Sequence, residues 1–187
     1  MSPIRYKRPG FDPAPFLARI ARGEAACADL GMRIDRDGVW HYRGSPIGRP
    51  AMARLFAGIL HRMPDGSYWL VTPAEQGRIE VEDVPFLAVE MRSEGEGRDR
   101  VVAFRTNLDE WVTAGADHPL RLGSFGVSAT QVPYVTVRDG LEARLTRPVF
   151  YELIELAEPM EEDPESDELA VWSGGRRFPL GRIGEPG

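Results

Sequence analysis

The tripeptide Arg-Asp-Gly occurs twice, at Arg36-Asp37-Gly38 and Arg138-Asp139-Gly140, and each copy is followed by an Arg-Pro pair, Arg49-Pro50 or Arg147-Pro148. Asp-Gly between alternating apolar runs favours a hairpin turn, and proline just inside a helix start is tolerated because its missing N–H has no intrahelical partner there. Around the first turn, Met32 to Asp35 and Val39 to Arg43 read as strands, and Gly44 to Gly48 as a loop. A helix follows with Met52, Leu55, Phe56, Ile59 and Leu60 as its buried face. Pro64-Asp65-Gly66 ends it, and Ser67 to Thr72 and Gly77 to Glu82 close the unit as strands. Around the second turn the order is the same: strands Tyr134 to Val137 and Leu141 to Leu145, a helix from Arg147, then strands Leu169 to Trp172 and Arg177 to Leu180 about Gly174-Gly175. Setting Arg49-Pro50 on Arg147-Pro148 places Met52 on Phe150, Leu55 on Leu153, Phe56 on Ile154 and Ile59 on Ala157, so the expected buried faces coincide. Two copies make a duplication rather than a solenoid.

Asp12-Pro13 marks a first helix with Phe16, Leu17 and Ile20 on one face and Gly23 as its stop; a second short helix is expected from Glu24 to Leu30, closed by Gly31. Between the copies, Phe86 to Met91 and Arg100 to Arg105 flank the turn Glu94-Gly95-Glu96-Gly97, and Trp111 to Thr113 and Leu120 to Leu122 add short strands. The expected fold is α+β: two small related domains built on a repeated strand-strand-helix-strand-strand unit, with a central antiparallel β meander. The domains are expected at 1–83, the helical arm plus the first unit, and 84–187, the meander plus the second. A total of 36 Gly and Pro residues agrees with short elements joined by tight turns.

Of 29 acidic residues, seven fall between Glu158 and Glu168, which leaves 22 against 23 Lys and Arg elsewhere. A nearly neutral body argues against nucleic acid as partner, and the acidic run reads as a solvated loop broken by Pro159 and Pro164. The single Cys27 excludes an intrachain disulfide and reads as a small packing residue, as in a reducing compartment. No apolar run has the length of a signal peptide core or a membrane span, so a cytoplasmic protein with no membrane partner is expected.

Arg49 and Arg147 are the unusual residues of the repeat, because a helix N-terminus disfavours a cation. Pairing with Asp37 or Asp139, or simple exposure, is the plainer reading; an anion site aided by Ser45 or Thr146 is the functional one. His41, His61 and His118 have no metal-ligand spacing, with His61 expected near a helix C-terminus, and no metal or other cofactor is expected. Gly123-Ser124-Phe125-Gly126 lacks nucleophile-elbow spacing and reads as a loop. Trp40, Trp69, Trp111 and Trp172 all fall on expected strands, where core packing is the default.

The blocks Gly38-Val39-Trp40-His41-Tyr42-Arg43-Gly44-Ser45-Pro46-Ile47, Tyr68-Trp69-Leu70-Val71-Thr72-Pro73, Val81-Glu82-Asp83-Val84-Pro85-Phe86 and Val149-Phe150-Tyr151-Glu152-Leu153, in this order, resemble bacterial domain-of-unknown-function family 1285. The likeness spans about residues 12 to 181. It implies a two-domain α+β architecture with repeated motifs, no established activity, and a suggested role in signal transduction; it carries no catalytic residues over. Gln76-Gly77 departs from the family pattern, where a larger or basic side chain is expected.

The expected function is a non-enzymatic module that binds a small molecule or a protein partner at the seam between the copies. The alternative is an enzyme of unrecognised type using Glu75, Arg78, Asp83 and Asp109, with Arg49, Arg147 and Ser45 as candidate anion or partner contacts.

Overall fold

The two Arg-Asp-Gly turns adopt different conformations. Asp139 and Gly140 both have positive φ, 43° and 76°, the signature of a two-residue type I′ hairpin. In the first copy only Gly38 is left-handed, at 73°, and Asp35 and Val39 close a longer turn through Asp35 N to Val39 O at 3.1 Å and Gly38 N to Asp35 O at 3.0 Å. In this computed structural model the described residues are 11–25, 28–126, 130–159 and 168–182. Cys27 and residues 160–167 of the acidic run lie outside them. The chain divides into two compact units: Met1–Pro85 with Asp139–Leu141, and Phe86–Arg138 with Glu142–Gly187.

In the first unit Asp12 accepts the Ala14 amide at 3.0 Å and starts helix α1 (Ala14–Ala21) behind Pro13. Strands β1 (Ala28–Ile34), β2 (Trp40–Tyr42) and β3 (Ser45–Pro46) follow, then helix α2 (Pro50–Ala57) and strands β4 (Leu60–Arg62), β5 (Tyr68–Val71) and β6 (Gln76–Val81). One six-stranded sheet takes them in the order β3-β2-β1-β6-β5-β4. The β1–β6 pair is parallel, with an irregularity between Asp29 and Arg33. Ile20 of α1 joins Met63, Trp69 and Val71 in one buried cluster, with Phe16 and Leu17 against it. Phe56 of α2 stacks on the buried Trp40, with ring centroids 6.1 Å apart. Cross-strand partners share a face, so Trp69 and Arg78 lie on the face that α1 partly covers, whereas Trp40, Ile34 and Val81 lie on the α2 face.

Three expectations fail here for local physical reasons. The segment expected as a helix from Glu24 to Leu30 is, from Ala28 onward, strand β1, because β6 offers it a parallel ladder that short-range spacing cannot reveal. Helix α2 stops at Ala57, and Leu60, His61 and Arg62 form β4 opposite Leu70, Trp69 and Tyr68, so Pro64-Asp65-Gly66 is a hairpin turn and His61 a strand residue. The buried face of α2 is Ala53 and Ala57; Met52 and Leu55 are exposed. Small residues let α2 lie close to a sheet whose bulk comes from Trp40.

In the second unit strands β7 (Phe86–Glu94), β8 (Val101–Thr106), β9 (Trp111–Thr113), β10 (Leu120–Phe125), β11 (Thr130–Arg138) and β12 (Leu141–Leu145) form a six-stranded sheet in the order β10-β11-β12-β7-β8-β9. The β12–β7 pair is parallel, so this sheet is mixed rather than a plain antiparallel meander. Gly123-Ser124-Phe125 belong to β10, not to a loop. Helix α3 (Arg147–Glu155) buries Val149 and Leu153, and β13 (Glu158–Pro159), β14 (Glu168–Ser173) and β15 (Arg176–Arg182) make a separate three-stranded sheet. Buried Ser173 links it to β8: its Oγ donates to Ala114 O at 2.7 Å and accepts the Val102 amide at 2.9 Å.

The architecture is mixed α+β, with both hairpin-helix segments followed by further strands. Pairing distinguishes them: β1 takes a parallel partner from its own segment, β6, whereas β11 pairs with β10 and β12, and β12 takes the earlier β7. The buried helix positions also fail to coincide on the Arg-Pro alignment. Ala53 and Ala57 match Val149 and Leu153 only after a two-residue shift.

Candidate functional site

β6 carries polar side chains at every second position, and Arg78 and Glu80 are both exposed. Opposite them on β1 stand Asp29, paired in register with Arg78, and Arg33, paired with Glu80. Between Asp29 and Arg33 the chain bends through Gly31, whose φ of 59° is left-handed; the Asp29 carboxylate holds the bend by accepting the Gly31 amide at 2.8 Å. Having no side chain, Gly31 leaves the middle strand bare. The result is an open groove of about 820 Å³ on this face of the sheet, bordered by Asp29, Arg33, Arg43, Ser67, Arg78 and Glu80.

Arg43 is the other bank. Its amide donates to Gly31 O at 2.7 Å, its φ is 47°, and the following Gly44 has a φ of 82°, which makes the pair the centre of a type I′ hairpin between β2 and β3. A Cβ on Gly31 would stand 3.1 Å from Arg43 Cγ, so the glycine makes room for the arginine stem. The guanidinium carbon lies 5.3 Å from the Tyr42 ring centroid, a cation–π contact. Non-glycine residues in this backbone region cost on the order of 1 kcal/mol or more and cluster at functional sites.

The charges around the groove are unevenly satisfied. Arg33 turns from its register partner Glu80 to Glu82, with which it forms an ion pair. The Arg36 amide, working against partial burial, and then the Arg36 and Arg33 guanidiniums hold Glu82 below the ordinary glutamate range. At the far end the Ser67 hydroxyl and amide hold Asp65 below the usual aspartate value, with a smaller contribution from the charge of Arg78. Among the described residues Arg43, Arg78 and Glu80 enter no ion pair.

Of the residues singled out from sequence, Arg78 alone lines this groove. Ser45 is exposed on β3, and Arg49 is exposed at the N-terminus of α2. Glu75 closes a turn in which its carbonyl accepts the Thr72 hydroxyl at 2.8 Å, and Asp83 follows β6 half-buried. Asp109, at φ 65° in the β8–β9 turn of the second unit, accepts Arg105 at 2.8 Å. Arg147 donates to Tyr151 Oη at 2.9 Å, not to Asp139, and the Thr146 hydroxyl is taken by Ala88 O at 3.0 Å. His41 meets Asp35, and His118 Nδ1 lies 3.0 Å from Thr136 O. Among the described residues no group of three His, Cys, Asp or Glu is placed to hold a metal ion, and no helix is long and apolar enough to cross a membrane.

Sequence reasoning missed Asp29, Arg33, Arg43 and Glu80 as a set. The readable signal was the polar alternation Gln76, Arg78, Glu80 on β6. The other half needed Asp29 on a strand. Gly77 has a structural reason of its own: a Cβ there would meet Leu30 Cγ at 2.4 Å and Ala28 O at 2.6 Å, so Leu30 occupies the space where a larger side chain was expected.

Comparison with known proteins follows the same division. The domain of unknown function (DUF1285), N-terminal domain, matches residues 24–84, and the protein of unknown function (DUF1285), C-terminal domain, matches residues 85–180. The crystal structure of a DUF1285 family protein from Silicibacter pomeroyi DSS-3 is similar with a TM-score of 0.75 and 38% identity, over 89% of this chain and 95% of that one. Another, from Shewanella baltica OS155, has a TM-score of 0.53 and 25% identity over 68% and 92%. No curated protein matches the chain. Two domain matches in order, with 38% identity to a family member over nearly all of that member's length, show that this chain belongs to the DUF1285 family.

Proposed function

We propose that the chain is a non-enzymatic binding module that holds a small anionic ligand in the groove beside Arg78 and Glu80 on the first unit's sheet. The observation that carries this reading is the pair of guanidiniums, Arg43 and Arg78, bordering that groove without an ion-pair partner among the described residues. Guanidinium groups bind carboxylate or phosphate through paired, charge-assisted hydrogen bonds. The volume, about 820 Å³, falls within the roughly 300–1,000 Å³ of small-molecule sites. The strained backbone of Arg43 supports the same reading, because asparagine or glycine would fit that turn position with less strain. A signalling role, which the family resemblance suggests, would have the occupied groove recognised by a further protein.

Thermal-shift and calorimetric titration with small carboxylates, inorganic phosphate and nucleotides, on the native chain and on Arg78→Ala, test the proposal. Saturable binding that the variant loses is expected. Absence of binding by every anion at millimolar concentration, or binding indifferent to Arg78, would overturn it.

A further inference from the structure

Two oppositely charged pairs face each other across the parallel β1–β6 ladder, Asp29 with Arg78 and Arg33 with Glu80, yet neither closes into an ion pair. Arg33 is drawn off by Glu82, and one oxygen of Asp29 is engaged by the Gly31 amide. Arg78 and Glu80 are thereby left as a separated plus and minus on one strand, with Cα atoms about 6.6 Å apart at two residues of strand rise. Their side chains share a face because positions i and i+2 do. Arg43 stands across Gly31, about two strand spacings or 9.6 Å away.

We propose that the ligand of this groove is a zwitterion of the α-amino-acid type, its carboxylate held by Arg78 and Arg43 and its ammonium by Glu80; this rests on the anion-binding reading above. A ligand that were only an anion would meet Arg78 with Glu80 beside it, and the carboxylate would repel it. A ligand with an ammonium next to its carboxylate turns that repulsion into a second contact. Asp29, the register partner of Arg78, has one oxygen on the Gly31 amide and forms no ion pair with Arg78, which leaves that guanidinium to the ligand's carboxylate.

The test is calorimetric titration of the full chain with the twenty common L-amino acids, and with propionate, succinate and inorganic phosphate as anions that lack the ammonium. Native protein, Glu80→Gln and Arg78→Ala are compared; both positions are exposed, and matching thermal unfolding verifies that the variants fold. The expected result is at least one amino acid bound about tenfold more tightly than the simple anions, the worth of one charge-assisted contact. Glu80→Gln erases that preference, and Arg78→Ala removes both. Simple anions bound as well as any amino acid would overturn the zwitterion and leave the anion site standing. Binding of nothing would overturn both, and amino-acid binding unchanged in both variants would place it outside the groove and overturn the proposal.

Discussion

His41 Nε2 lies 2.8 Å from Asp35 Oδ2, so strand β2 is tied by a side chain to the turn that precedes it. The other Asp35 oxygen accepts the amides of Asp37 at 3.0 Å and Val39 at 2.9 Å. Burial opposes the charge, but His41 and the two amides outweigh it and hold the carboxyl below the ordinary aspartate range. A carboxyl with a depressed folded pKa adds stability above its unfolded value, about 3.9, and loses it as the pH falls through the folded value. Asp35→Asn is therefore expected to lose about 1–2 kcal/mol at pH 7, with the difference shrinking as the pH falls from 4 toward 2. Urea denaturation of both proteins across that range checks it; a pH-independent loss would contradict it.

Gly77 and Leu30 form a steric pair, with only 2.4 Å between a notional Cβ and Leu30 Cγ. Gly77→Ala should cost about 1–3 kcal/mol by overpacking. Adding Leu30→Ala should recover only part of this, because Ala28 O stays 2.6 Å from the same Cβ. Chemical denaturation of the single and double variants measures both.

Ser173→Ala should cost about 1–3 kcal/mol, since it strips the buried Val102 amide of the hydroxyl that accepts it at 2.9 Å. Substitution by cysteine, which keeps a weak acceptor, should cost less. The melting temperatures of the two variants rank the outcomes.

What sequence alone made legible was local chemistry. Pro13, Pro50 and Pro148 mark true helix starts, Asp-Gly at 37–38 and 139–140 marks true turns, and all four tryptophans lie on strands. What it hid was decided by partners distant in the chain. Asp29 became a strand residue because β6 pairs with it, and Leu60 left its helix because Leu70 faces it. Met52 and Leu55 yielded the buried face to Ala53 and Ala57 because the sheet side of that contact is already filled by Trp40. The groove needed β1, Gly31 and the β2–β3 turn together, so only its most regular wall, β6, showed in the sequence.

Arg43 should trade stability against binding. Arg43→Asn places a residue tolerant of positive φ at the 47° position and is expected to stabilise the chain by up to about 1 kcal/mol, while weakening anion binding about tenfold or more. Thermal unfolding and calorimetry on the same preparation read both effects. A variant that is less stable yet binds normally would contradict the assignment.

The most direct measurement of the account is a backbone amide NMR map of the native chain titrated with each anion and amino acid used above. Saturable shifts concentrated at Asp29–Arg33, Arg43-Gly44 and Arg78–Glu80, and absent in Arg78→Ala, are the predicted result. Shifts centred elsewhere, or none at any concentration up to tens of millimolar (about the limit for a weak site), would contradict it.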